Sequence, residues 1–175
     1  MTQYKLAPIE LTQDELKKLL NYDHITGIFT WKTNRVNIKA GSIAGTLSAE
    51  GYINIQVNYK MYRAHRLVWL YIKGYFPTNE IDHKNGNKSC NSIDNLRECT
   101  SEENRRNCAK NKKNTSGIKG VCFHKETRKW QARARANGKN NYLGLYANIE
   151  DAAFAYKEFV NKHHGDFVHQ SVKEV

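Results

Sequence analysis

The apolar positions along the chain fall into short blocks of alternating period. Thr12-Gln-Asp-Glu15 ahead of Leu16, Leu19 and Leu20 is a capping-box start for a short helix. Tyr22-Asp-His-Ile-Thr-Gly27 reads as a turn, with His24 one of its residues, and Ile28 to Trp31 as a strand. Tyr52 to Val57 alternates apolar and polar, as a half-buried strand does. Asn58-Tyr59-Lys60 is its turn, and Met61-Tyr62 begin the return. From Ala64 to Lys73 the spacing becomes helical, with Leu67, Val68, Leu70 and Tyr71 on a broad apolar face that Gly74 and Pro77 terminate. A polar stretch, Asp82 to Asn95, precedes a second capping box, Thr100-Ser-Glu-Glu103, which opens a helix carrying Asn104.

Cys108 to Ser116 offers almost nothing to bury and reads as a flexible linker. Beyond it, strand patterns cover Gly120 to His124, Lys129 to Ala136 and Asn141 to Tyr146. Asn148-Ile-Glu-Asp151 then caps a helix through Ala152, Ala153, Ala155, Tyr156 and Phe159, which Gly165 ends. The pattern predicts an α+β protein in four parts: a helix/strand scaffold over 1–48, a compact domain over 49–107, a linker over 108–116, and a sheet-plus-helix domain over 117–170.

Charge adds a partner. The formal net charge is +11, and Arg105 to Lys139 holds twelve Lys/Arg against one acid, Glu126. A polyanion follows from that excess, nucleic acid before a membrane surface; a basic protein without a special partner is the plainer alternative. No apolar run approaches the ~20 residues needed to span a bilayer, and Met1 to Leu20 lacks a secretory apolar core. An intracellular protein with thiol cysteines is expected, in the cytoplasm of a bacterial or phage-infected cell. Cys90, Cys99, Cys108 and Cys122 form no close pair, which points away from a structural zinc.

The chemistry concentrates in Ile81-Asp82-His83-Lys-Asn-Gly-Asn87, Asp94-Asn95-Leu96-Arg97 and Glu103-Asn104. Cutting a phosphodiester requires a base for the attacking water, neutralisation of charge on the phosphate, and support for the departing 3′ oxygen. An imidazole suits the first need, and a hard cation on oxygen ligands the other two. Each residue taken alone is ordinary, since Asp-His and Asn-Gly are common in turns. Together they resemble the H-N-H endonucleases of ββα-metal fold, in particular the phage and intron homing type. Asn95 lies twelve residues after His83 and Asn104 nine further, without insertion or deletion. Ala64 to Trp69, Gly74 to Pro77 and Tyr22 to Trp31 also resemble that family, so the likeness spans most of residues 11–107.

The resemblance implies roles. His83 would be the general base. Asp82 and Asn104 would hold one divalent metal, Mg or Mn. Asn95 would bond the loop backbone and keep His83 oriented. Cys90-Asn91 replaces the Asp-Asn pair common in the family, outside the core roles. Arg97 divides between a phosphate contact and a structural salt bridge. His65 reads first as a histidine buried at a helix start with a backbone partner, and second as a phosphate contact.

In Trp130-Gln-Ala-Arg-Ala-Arg-Ala136, Arg133 and Arg135 point one way and the alanines the other. The small side chains admit the Ala-rich side of the following helix, leaving an Arg face for phosphates or guanine edges. Trp130 is expected in the core. Ser116-Gly-Ile-Lys-Gly-Val121, Lys129-Trp130-Gln-Ala132, Tyr142-Leu-Gly144 and Ala152-Ala-Phe-Ala-Tyr156 resemble the APETALA-two/ethylene-response-factor DNA-binding domain. That likeness implies a three-stranded antiparallel sheet on one helix, laid in the major groove. Lys119, His124, Arg133, Arg135 and Tyr142 fall at its DNA-contacting positions, while Cys122 stands where an Arg would be expected. The whole predicts an endonuclease on double-stranded DNA, acting as a nicking monomer or as a homodimer. A DNA-binding regulator with an inactive nuclease half and an RNA-processing nuclease are the rivals.

Overall fold

The computed structural model describes residues 10–108, 110–111, 113–169 and 172; the expected scaffold over 1–48, linker over 108–116 and reader over 117–170 lie in part outside them. The chain forms two compact units. One comprises the residues up to 83 together with 87–97, the other 84–86 together with the residues from 98 onward.

The first unit opens with α1 (Gln13–Leu19), where both bonds of the capping box form: Glu15 N–H donates to the Thr12 hydroxyl and Thr12 N–H to the Glu15 carboxylate. Strands β1 (Leu20–Tyr22) and β2 (Phe29–Trp31) pair antiparallel, with Tyr22 opposite Phe29. Leu20, read from the sequence as helical, is thus a strand residue. The cross-strand pair Leu20–Trp31 takes it into the sheet while keeping its side chain fully buried.

Strands β3 (Thr46–Leu47), β4 (Ile53–Val57) and β5 (Lys60–Arg63) make a second antiparallel sheet in that order. Asn58 and Tyr59 both take positive φ at its hairpin, the two-residue turn that matches strand twist. Helix α2 (Ala64–Lys73) buries Leu67, Val68 and Leu70 against Leu16, Leu20, Phe29, Ile55 and Val57. Each such aliphatic side chain contributes roughly 1.5–3 kcal/mol by leaving water. Strand β6 (Glu80–His83) follows, and after a loop and a 3-10 turn, β7 (Leu96–Cys99) joins it in a two-stranded sheet. Ile81 and Leu96 sink into the core just described, so the strand ends carrying Asp82, His83 and Arg97 are fixed by apolar neighbours.

The second unit begins at α3 (Ser101–Asn107), again with a complete capping box between Thr100 and Glu103. Strands β8 (Val121–His124), β9 (Lys129–Ala136) and β10 (Lys139–Tyr146) form an antiparallel sheet in the order β10-β9-β8, covered by α4 (Ile149–His164). Ala132, Ala134, Ala152, Tyr156 and Val160 share one core, and Trp130 packs at its edge, as the alternation predicts. Strand β10 starts two residues earlier than its apolar pattern, because Asn137 and Gly138, both at positive φ, close a tight hairpin. Asn148 occupies the N-cap of α4, yet its amide donates to Asp151 instead of accepting from the helix backbone. Two residues of the expected linker are stitched to the start of β8: Asn114 and Ser116 both donate to the Val121 carbonyl.

Gly120 permits the close approach of sheet and helix. It sits at φ +78, and a Cβ there would stand 2.0 Å from the Tyr156 ring and 2.7 Å from the Arg133 carbonyl. Gly120→Ala should therefore destabilise this unit by about 3 kcal/mol, lowering its melting temperature by roughly 10 °C. Calorimetry of the full chain reads this, and an unchanged transition would show that Tyr156 yields freely.

Candidate active site

Two ionisable residues lie side by side at the end of β6, and both are out of water: Asp82 is 5% exposed and His83 4%. One oxygen of the Asp82 carboxylate, Oδ2, accepts from both Nε and Nη2 of Arg97, at 2.8 and 2.6 Å. The ion pair is itself mostly buried, so removing either partner would strand a charge at a cost of about 3–5 kcal/mol.

His83 Nε2 lies 3.2 Å from the amide oxygen of Asn91. Its ring meets the edge of His65 at 5.1 Å between centroids and tilts against Tyr52 at 6.1 Å. Burial pulls the His83 pKa below the ordinary imidazole value; the Asn91 bond and the Asp82 charge offset part of that, and Lys88 adds to it. The ring is therefore neutral at neutral pH and can accept a proton. His65 is held far lower, at about 3, by burial first and then by the nearby His83, Arg63 and Arg66. It sits in the first turn of α2, buried as expected, but among the described residues its ring has no hydrogen-bond partner. Aromatic contacts with Tyr52 and His83 take the place of the expected backbone partner.

Asn95 donates to the Cys90 carbonyl at 2.8 Å, tying the loop across its neck. A side chain bonded to His83 is that of Asn91, half of the Cys90-Asn91 departure from the family pattern. Asn91 is 2% exposed, its amide nitrogen donates to the Ser89 carbonyl, and its own carbonyl accepts from the Tyr22 hydroxyl. Burial raises the Tyr22 pKa to about 12, which keeps that hydroxyl a donor. Only the position of Asn91, eight residues after His83 in a loop between two strands, could have marked it in the sequence.

Asn104 lies on α3, in the second unit, where its backbone carbonyl is 3.5 Å from Cys108 Sγ. The four cysteines are free thiols. Among the described residues no three His, Cys, Asp or Glu side chains gather as a metal cluster. Asp82 offers a carboxylate oxygen of the kind a hard divalent cation takes.

In the second unit Arg133 and Arg135 are exposed on β9, on the face turned away from the alanines. Tyr142, 61% exposed, stands opposite Arg133 in register. His124 pairs with Lys129 on that same face, its Nδ1 3.0 Å from the Thr127 hydroxyl. Register therefore gathers Arg133, Arg135, Tyr142 and His124 on one surface. Lys119 is placed differently: its ammonium donates to the Arg106 and Cys108 carbonyls at the end of α3, and burial lowers its pKa.

Residues 62–106 match a family model of HNH endonucleases. Protein 3.8 of Escherichia phage T7 is 36% identical over 100 residues, a stretch that takes in 57% of this chain and 83% of that protein. A solved structure of DNA binding and cleavage by the HNH homing endonuclease I-HmuI is similar at 28% identity and a TM-score of 0.39. That similarity covers 51% of this chain and 51% of the other, so the chain spans about half the length of that protein. No helix among the described residues is long and apolar enough to cross a membrane.

Proposed function

The chain belongs to the HNH endonuclease family, and from that premise we propose that it is a homing-type DNA endonuclease using His83 as general base and one divalent metal. The observation that carries the reading is the buried pair at the end of β6: a neutral imidazole beside a carboxylate, inside the matched segment.

His83 takes a proton from water as the water oxygen attacks phosphorus. The P–O3′ bond then breaks, leaving a 5′-phosphate and a 3′ oxygen that is protonated from solvent. HNH nucleases generally use a divalent metal; here Asp82 and Asn104 would hold it, Mg or Mn by the hardness of their oxygens, and it would supply charge neutralisation at the phosphate and the leaving oxygen. Arg97 keeps the Asp82 carboxylate aimed. Asn95 keeps the loop closed.

The C-terminal sheet is the DNA reader of this proposal, in the manner of the APETALA-two domain it resembles. Its support is the exposed Arg133–Arg135–Tyr142 face on a strongly basic segment. Arg133→Ala with Arg135→Ala should lower the log–log salt slope of DNA binding by about 2, roughly one unit per phosphate contact. Anisotropy titrations over a salt series measure it, and an unchanged slope removes this face from the DNA path.

The test of the whole reading is cleavage of supercoiled plasmid, and of DNA flanking the gene, with Mg or Mn and with chelator. Nicked or linear product that chelator suppresses is expected. No cleavage of either DNA with either metal would leave the DNA-binding-regulator alternative standing. Cleavage of structured RNA alone would favour the RNA-processing one.

A further inference from the structure

We infer that Arg63 and Lys88, two cations set against the Tyr52 ring, form a binding site for a DNA backbone phosphate flanking the one that is cut. The inference deepens the reading of the chain as a DNA endonuclease and rests on it for the identity of the anion.

Tyr52 is the anchor. Its N–H donates to the Ser48 hydroxyl at 3.2 Å, and its carbonyl accepts from the Ser48 N–H at 2.8 Å, closing a tight turn over 48–52. Its ring lies 5.4 Å from the His65 ring and 6.1 Å from the His83 ring, between centroids. The guanidinium carbon of Arg63 stands 4.1 Å from the centroid of the same tyrosine ring, and the Lys88 ammonium 4.7 Å. One aromatic ring therefore separates both cations from the imidazole read as the general base. Arg63 comes from the end of β5 and Lys88 from the loop after β6, so two separate stretches of chain bring positive charge to one place.

Both residues are exposed. Arg63 Nη2 donates to a Glu50 carboxylate oxygen at 2.8 Å, and the Lys88 ammonium donates to the Glu50 backbone carbonyl at 3.3 Å. An arginine carries five N–H donors and a lysine three, so a planar fork and a point charge are left to meet an anion. Against the two cations Glu50 sets one carboxylate, and the Arg63–Glu50 pair is 44% and 66% exposed. A pair so open to water holds weakly, and a phosphate can displace the carboxylate from the fork. The tyrosine ring keeps both heads in place beforehand, which limits the side-chain freedom lost on binding. A cluster that only braced the β4–β5 hairpin would gain from its acid. In a phosphate site the same acid is a competitor, so the two roles predict opposite signs for its removal.

The test is titration of the full chain against a short DNA duplex over a salt series, with chelator so that nothing is cut. Arg63→Met with Lys88→Met should lower the log–log salt slope by about 1, the mark of one phosphate contact. Arg63→Lys with Lys88→Arg keeps both charges and should keep the slope. Glu50→Gln should tighten binding by about 2–5-fold, because the carboxylate no longer competes. An unchanged slope in the methionine variant overturns the site, and so does weaker binding by Glu50→Gln. Should the methionine variant not fold, the Glu50→Gln titration decides alone. On DNA that the chain cuts, an uncharged methylphosphonate beside the cleaved bond, on one side or the other, should weaken wild-type binding and leave the methionine variant unmoved. Equal weakening of both proteins overturns the inference. A slope that falls in the methionine variant, on DNA that neither Mg nor Mn causes to be cut, supports the phosphate contact and refutes the nuclease reading. Cutting with an unchanged slope overturns the site alone.

Discussion

Replacing His83 with alanine should reduce DNA nicking by about 10²–10⁴-fold, the usual contribution of a positioned general base. The ring is neutral because burial outweighs the Asp82 charge and the Asn91 bond, so it stands ready to take a proton. The neighbouring imidazole cannot substitute. His65 is held at about 3, and a base that weak gains little by taking a proton from water. Alanine would also leave the buried Asn91 oxygen without its donor, at about 1–3 kcal/mol. His83→Gln belongs beside it, since a glutamine amide can donate to Asn91 and cannot serve as a base. Both variants should bind DNA with wild-type affinity and salt dependence while cutting at the reduced rate. Cutting within a few-fold of wild type by both variants would place the base elsewhere.

The elements written by local rules were the ones legible in the sequence. Helix α2 keeps the bounds Ala64–Lys73, and β9 the bounds Lys129–Ala136, because a stop at Gly74 and a strict alternation are properties of neighbouring residues. Asp82 and His83 were legible for the same reason, being contiguous. Legibility ended where a partner came from far along the chain. Leu20 left its helix for the pair with Trp31. Asn91 acquired its meaning from Tyr22, 69 residues away, and from a glycine whose role in the sequence was only to end a turn. The bonds of Lys119 to the end of α3 depend likewise on how that helix packs within its unit. Asp82 and His83 stood out by type and spacing; the residues packed around them came into view only through the fold.

Gly27→Ala tests that dependence at its tightest point. The residue sits at φ +74, which an alanine adopts at a cost of about 1–2 kcal/mol, and its new methyl would press on the main chain at Asn91 and Ser92. Main-chain atoms yield less easily than side-chain ends, so overpacking should add about 1–3 kcal/mol. Gly41→Ala separates the two costs. Gly41 has φ +83 and nothing within 4 Å of the place a Cβ would take, so it meets the backbone cost alone. By thermal denaturation Gly27→Ala should fall below Gly41→Ala by the overpacking difference. Its nicking rate, corrected for the folded fraction, should fall as well, because the main chain at Asn91 has moved. The Gly41 variant should cut as the wild type does. Equal melting temperatures for the two variants, or full activity in folded Gly27→Ala, would mean that the turn supports the fold without governing the site.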